Sequence, residues 1–282
     1  MKQRPSFPAR LDATLAKNRP NAHGVPQSSA GALLPLHPLS AVPGLIFKKP
    51  NGGAKPAAPQ GHGMESSAVR SRMVQKLAAG GITDVHVLAA MGSVERHRFV
   101  DSALINQAYE DTSLPIGLGQ TISKPGVVSR MLELLRNGHS GKLGRVLEIG
   151  TGCGYQAAVL SCLATEVYSI ERLRGLHDRA RDNLRHLRLA NLHLLFGDGM
   201  VGYPKGAPYA AIISAAGGEA IPQAWVDQLA VGGRLVAPVV TMGAPGSAGG
   251  AQALLVLDKT AQGVRQTILE AVHFVPLKSG VA

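Results

Sequence analysis

From Arg70 onward, short unbroken apolar runs alternate with stretches that carry one apolar face every three to four residues. In SRMVQKLAAGG, residues 71–81, Met73, Val74 and Leu77 share a helical face ahead of a Gly-Gly stop. TDVHVLAAMGSV, residues 83–94, repeats the pattern with Val87, Leu88 and Met91, and either Thr83 or Asp84 can cap it. LPIGLGQTISKP, residues 114–125, reads as a loop before the helix VVSRMLELLRNG, which Gly138 can stop. Strand and helix then alternate. GRVLEIG is a strand, TEVYSIE a second ending at Glu171, and a long polar helix over 173–189 leads to NLHLLFGDG. AAIISAA (210–216), GRLVAPVV and ALLVLD complete the set. Apolar runs separated by helices are parallel strands covered on both faces. The expected fold is therefore α/β: a doubly wound, mostly parallel, Rossmann-like sheet with extra N-terminal helices.

Composition adds a second region. Residues 1–63 hold ten of the 18 prolines and eight Lys or Arg against one acid, Asp12, so this segment carries +7 of the formal +11 and leaves +4 for residues 64–282. That predicts a disordered, basic, proline-rich tail followed by one folded domain over 64–282. A basic tail can touch nucleic acid, but a solvated run is the simpler reading, and no nucleic-acid partner is expected. The most apolar part of the tail, residues 32–47, is cut by Pro35, Pro38 and Pro43, which suits neither a signal core nor a membrane span. Cys153 and Cys162 lie nine apart with no CxxC spacing and no clustered His. Neither a metal site nor a disulfide framework follows. The expectations are a cytoplasmic monomer with no metal and no membrane attachment.

The candidate chemistry centres on VLEIGTGCGYQAAVL. In a doubly wound sheet, ligands sit beyond the carboxyl ends of the strands where strand order reverses, and this strand-to-helix turn lies there. Gly150, Gly152 and Gly154 let the backbone approach a ligand while amides at the helix start face it. Tyr155 stands where a dinucleotide fingerprint GxGxxG needs its third glycine, and no GK[ST] follows for a P-loop. What fits is Glu148-x-Gly150-Thr151-Gly152-x-Gly154 together with Glu171, nineteen positions after Gly152, where a carboxylate can accept both ribose hydroxyls. Gly197-Asp198-Gly199 closes the third strand at the same sheet edge. With no pyrophosphate-binding feature, the expected ligand is a nucleoside with an amino-acid tail, and S-adenosyl-L-methionine fits. Simpler roles stand beside these: tight packing for the glycines, loop bracing for Glu148, a turn for Asp198. His273 reads as a strand residue rather than a catalytic base.

Over residues 70–282 the chain resembles the protein-L-isoaspartate (D-aspartate) O-methyltransferases, which repair damaged aspartyl and asparaginyl sites. The resemblance rests on LPIGLGQTISKP, VLEIGTGCGYQAAVL, SIERLRGL, FGDG and HFVPL, in that order. It implies the S-adenosylmethionine-dependent methyltransferase form of the fold, with Glu171 on the ribose, Asp198 and Gly199 at the adenine, and the 150–154 turn at the methionine portion. Ser123 corresponds to the family's active-site serine, although its place before Pro125 also suits a helix cap. Isoaspartyl-containing peptides and proteins are the implied partners, flanked by Ile116, Gln120 and Thr121 on one side and Val275, Pro276 and Leu277 on the other. Ala210 stands where relatives commonly carry an acid, and Lys124 and Gly126 where a glutamine and a bulky residue are frequent.

The implied reaction moves a methyl group to the free α-carboxylate of an isoaspartyl residue, leading to a succinimide and partial return to L-aspartate. That carboxylate, with a pKa of about 3.5, is ionised at neutral pH and needs no general base. Ser123, outside any GxSxG elbow, is then an orienting group rather than a nucleophile. Two rival readings remain: a methyltransferase acting on nucleic acid or a small molecule, and a binding module that keeps only the cofactor pocket.

Overall fold

In the computed structural model, the described residues are 67–241 and 251–282. The expectation for the tail lies outside them.

Helix α1 (Ser67–Ala79) buries Met73 and Leu77. Helix α2 (Val85–Ser93) buries Val87, Ala90 and Met91, and Asp84 caps it by accepting the amides of His86 and Val87. The second carboxylate oxygen of Asp84 receives Arg136 Nε at 2.8 Å. Burial alone raises the Asp84 pKa, but the Arg136 hydrogen bond and the amides outweigh it and leave it lowered. Thr83 is not the cap; its hydroxyl binds Glu133.

Residues 114–122, expected as loop, form a hairpin of β1 (Leu114–Gly117) and β2 (Gln120–Ile122). Its turn runs through Leu118 (φ 52°) and Gly119 (φ 69°). Two left-handed residues give the turn the twist that antiparallel strands need. The leucine, a rare occupant of that region, hides the turn from a sequence reading. Helix α3 (Pro125–Arg136) follows and ends at Asn137, in the left-handed conformation one residue before Gly138.

The main sheet holds seven strands: β3 (Leu143–Ile149), β4 (Ala164–Glu171), β5 (Leu192–Phe196), β6 (Tyr209–Ser214), β7 (Leu229–Thr241), β8 (Ala251–Thr260) and β9 (Gly263–Val272). Their order is β5-β4-β3-β6-β7-β8-β9. Parallel pairing joins β5 through β7. β8 and β9 are antiparallel. GRLVAPVV and ALLVLD, expected as parallel strands, pair antiparallel because the nine residues between them are too few for a parallel crossover. β9 escaped the sequence reading because it is an edge strand, exposed at most positions, with no apolar run. His273 lies just past the end of β9 and is not a strand residue.

Helices α4 (Tyr155–Leu163), α5 (Arg174–Leu184) and α6 (Gln223–Gln228) connect the strands. The helix expected over 173–189 ends at Leu184 and becomes a short 3-10 turn, Arg185–Leu187, with Arg188 at φ 47°. From that turn Leu187 and Leu189 drop onto the core. Successive β3 residues serve opposite faces: Val146 joins the core beneath α1 to α5, while Leu147 packs with Trp225 and Tyr209 near α6. The chain runs outward from β3 to β4 and β5, then returns to β6 on the other side of β3. The crevice beyond the ends of β3 and β6 is the switch point where a ligand is expected.

Candidate active site

The turn after β3 is built on positive φ angles at Gly150 (89°), Gly152 (59°) and Gly154 (92°). A Cβ on Gly152 would stand 3.2 Å from Ile116 Cδ1, and one on Gly154 would stand 2.8 Å from Leu184 Cδ1. Gly154 thus serves close packing against α5, whereas Gly150 and Gly152 face a cavity of about 450 Å³. Glu171, buried at the end of β4, braces this turn. Its Oε2 accepts the Gly152 amide at 2.9 Å and its Oε1 the Leu173 amide at 2.9 Å.

Most of the expected site residues meet in that cavity. Its wall includes Gly150, Thr151, Gly152, Glu171 and Gly199 from the sheet edge, Ile116, Gln120, Thr121 and Ser123 from the hairpin side, and Val275, Pro276 and Leu277 from the C-terminal segment. The hairpin is pinned by Arg179, whose Nη1 donates to the Ile116 carbonyl at 2.6 Å while Nη2 pairs with Asp101 at 2.7 Å. Opposite, Gly217 donates to the Val275 carbonyl at 2.8 Å and receives the Leu277 amide at 2.8 Å. The segment 275–277 is therefore held by its backbone.

Ser123 precedes α3 but does not cap it. Lys124 occupies the N-cap with no side-chain cap bond, and Asp111 Oδ1 accepts the Gly126 amide at 2.6 Å. The glycine at 126 permits this approach, since a Cβ there would stand 2.9 Å from Asp111 Oδ1. One departure from the family pattern thus has a local reason. Ala210, another, packs where a Cβ on Gly144 would lie 3.1 Å from its methyl group.

Three expected residues lie off the cavity wall: Gly154, Glu148 and Asp198. Glu148 is fully buried beneath the turn, where Ser169 Oγ donates to its Oε2 and itself meets Thr151 Oγ1 at 2.6 Å. Burial pushes the Glu148 carboxyl up to about 8, with the Ser169 hydroxyl opposing it. Loop bracing is the role its contacts describe. Asp198 accepts the Met200 amide at 2.8 Å and the Gly280 amide at 2.6 Å, tying the C-terminal segment to the end of β5. Sequence reasoning passed over Gln156, Arg172 and Lys278, which also line the cavity. Gln156 follows the glycine turn by two residues and could have been flagged; Arg172 and Lys278 carry no local signal. The Gln156 side chain is partly turned to the buried Glu148 carboxyl, whose pKa it lowers against the effect of burial.

With the geometry in place, comparison with known proteins is decisive. A sequence model of the protein-L-isoaspartate(D-aspartate) O-methyltransferases matches residues 68–282. The chain belongs to that family. A protein-L-isoaspartate O-methyltransferase of Leptothrix cholodnii is 53% identical over 99% of this chain and 96% of its own length. One from Methylibium petroleiphilum is 52% identical over 98% and 96%. Among solved structures, a protein-L-isoaspartate O-methyltransferase at 27% identity superposes with TM-score 0.66 over 75% of this chain and 67% of that one. A Plasmodium falciparum protein assigned to the same class, solved with S-adenosyl-L-homocysteine, gives TM-score 0.63 at 23% identity, covering 74% and 98%. The methyltransferase form of the Rossmann-like fold follows for the family member described here. No helix among the described residues is long and apolar enough to cross a membrane.

Proposed function

We propose that this protein transfers a methyl group from S-adenosyl-L-methionine to the free α-carboxylate of L-isoaspartyl residues (and to D-aspartyl residues) in damaged proteins. The supporting observation is convergence: the segments around 116–123 and 275–277, far apart in sequence, face each other across one cavity floored by the glycine turn and Glu171. The residues present suit the cofactor. Gly150 and Gly152 leave a cradle that Cβ atoms would narrow, and the volume falls in the range of small-molecule sites. When bound, S-adenosylmethionine supplies an electrophilic methyl group that the ionised substrate carboxylate accepts in line.

The chain's own residues position rather than react. Glu171 presents acceptor lone pairs for ribose hydroxyls, and Gly199 lies where the adenine is expected, with Asp198 shaping that corner. Ser123, free of the capping duty that Asp111 performs, is available to orient the acceptor carboxylate. Ile116, Gln120, Thr121 and the backbone-held 275–277 segment flank an extended peptide. Contacts of the latter kind do not read side chains, which suits many damaged sequences. Enclosing the carboxylate away from water favours a step in which opposite charges neutralise.

We infer a cytoplasmic monomer; the free thiols Cys153 and Cys162 accord with a reducing compartment. We place the catalytic unit at residues 64–282. Methylation of nucleic acid or a small molecule is not favoured by the family match. Radiolabelled methyl transfer to an isoaspartyl peptide, its normal aspartyl counterpart and RNA tests the reading. Base-labile label on the isoaspartyl peptide alone is expected; label on RNA, or none on any acceptor, would overturn it.

A further inference from the structure

We propose that Arg96 is the counter-charge for the acceptor carboxylate, a positioning residue that acts through Ser123 from directly behind the cavity wall. The inference rests on the function proposed above. Arg96 opens the short turn Arg96–Phe99 and has no solvent exposure (0%). Its Nε donates to the Ala108 carbonyl at 2.8 Å and its Nη2 to the Ser123 carbonyl at 2.8 Å. Nη1 has no partner. The guanidinium carbon stands 4.8 Å from the centroid of the Tyr155 ring. Ser123 and Tyr155 both line the cavity, so one layer of side chain and backbone separates this cation from the site.

Nothing close by neutralises it. The ionisable groups facing Arg96 are Tyr155 and Cys153, with Asp111 farther off. Burial pushes Tyr155 up to about 12 and raises Cys153, so both are uncharged at neutral pH. Among the described residues, no carboxylate oxygen comes within ion-pair distance of Arg96, and burying a guanidinium without a paired acid is costly. A tie between two carbonyls does not by itself require a charge. An anionic substrate held at Ser123 does, because the low-dielectric wall transmits the field of the cation to it. The carboxylate carries its full charge in the bound state and loses it as the ester forms. The benefit is therefore larger for binding than for the chemical step.

The test compares wild type, Arg96→Met and Arg96→Lys, using calorimetry with an isoaspartyl peptide and its α-carboxamide analogue in the presence of S-adenosyl-L-homocysteine. Wild type should prefer the carboxylate by about tenfold or more. Arg96→Met should lose most of that preference, keep S-adenosyl-L-homocysteine affinity within about twofold, and raise KM while leaving kcat at neutral pH unchanged or slightly higher. Its kcat should also fall off at higher pH on the acid side, because the bound carboxylate no longer has a cation lowering its pKa. Buried lysine loses its proton more readily than arginine, so peptide affinity of Arg96→Lys should drop as pH rises from about 7 to about 9 while wild type stays level. Should Arg96→Met fail to bind S-adenosyl-L-homocysteine, the lysine series decides alone. An unchanged carboxylate preference in Arg96→Met, or pH-independent peptide affinity in Arg96→Lys, would overturn the proposal and leave Arg96 as a structural tie. Failure of the underlying reading shows separately, in a wild type that does not distinguish isoaspartyl from aspartyl peptide.

Discussion

Glu171 holds two backbone amides, one on each oxygen, and each oxygen keeps a lone pair for a ribose hydroxyl. Glu171→Ala should therefore weaken S-adenosylmethionine binding by about 1–3 kcal/mol, read by calorimetry on folded protein. Unchanged affinity would remove it from the site. Ser123 separates two roles that sequence position left together. Because Asp111 caps α3, Ser123→Ala should cost less than about 0.5 kcal/mol in a thermal melt, below the usual loss for a cap, while turnover on an isoaspartyl peptide falls by much more. No new basic limb should appear, since no proton is abstracted from the acceptor. Full turnover in the folded variant would refute the orienting role. Glu148 belongs to the same scale. Its carboxyl rises from 4.5 in the unfolded chain to about 8 in the fold, so between those values the native state holds a proton that the unfolded state releases. That term makes stability fall as pH climbs from about 5 to about 8. Glu148→Gln should flatten the decline, which denaturant melts across that window can follow.

At the scale of elements, Asp84 joins two helices by capping α2 and pairing with Arg136 of α3. The side chains are 10% and 1% exposed, so removing one partner leaves a buried charge uncompensated. Asp84→Ala should destabilise by about 3 kcal/mol near neutrality. The folded pKa of Asp84 lies below its unfolded value near 3.8, so this contribution is complete above that value and is lost progressively as pH falls from there through the lowered folded pKa. In melts of the two proteins, the stability gap seen at pH about 7 should therefore begin to narrow once the pH falls below 3.8. The cap at Asp84 was legible because a carboxylate before an apolar-periodic run has a local reason to be there. The cap of α3 was not, since Asp111 reaches Gly126 from fifteen residues upstream. The β1–β2 hairpin was hidden for a related reason: Leu118 adopts a conformation that its side chain disfavours, and packing over the glycine turn and the Arg179 anchor hold it there.

For the whole molecule, a chain beginning at Met64 should methylate isoaspartyl peptide at the full-length rate and melt within a few degrees of it, because the cavity-lining residues all lie at 116 or beyond and Arg96 behind them also falls within that chain. Loss of activity, or a much lower Tm, would make residues 1–63 part of the working enzyme. The sequence alone determined the α/β class, the strands β3 to β6, the glycine turn and Glu171, since each depends on residues within a few positions of one another: apolar period, glycine conformational freedom, an acid at a strand end. The tertiary structure decided what depends on distant pairs. It made β8 and β9 antiparallel, sent Glu148 and Asp198 to bracing rather than to the cavity wall, and brought Gln156, Arg172 and Lys278 into that wall. It also set Arg96, a residue with no motif around it, behind Ser123. Local periodicity reports which face of an element is buried, but not which partner it is buried against. The partner is chosen by how the whole chain closes its core, and most of the side chains that surround the substrate site are placed by that choice.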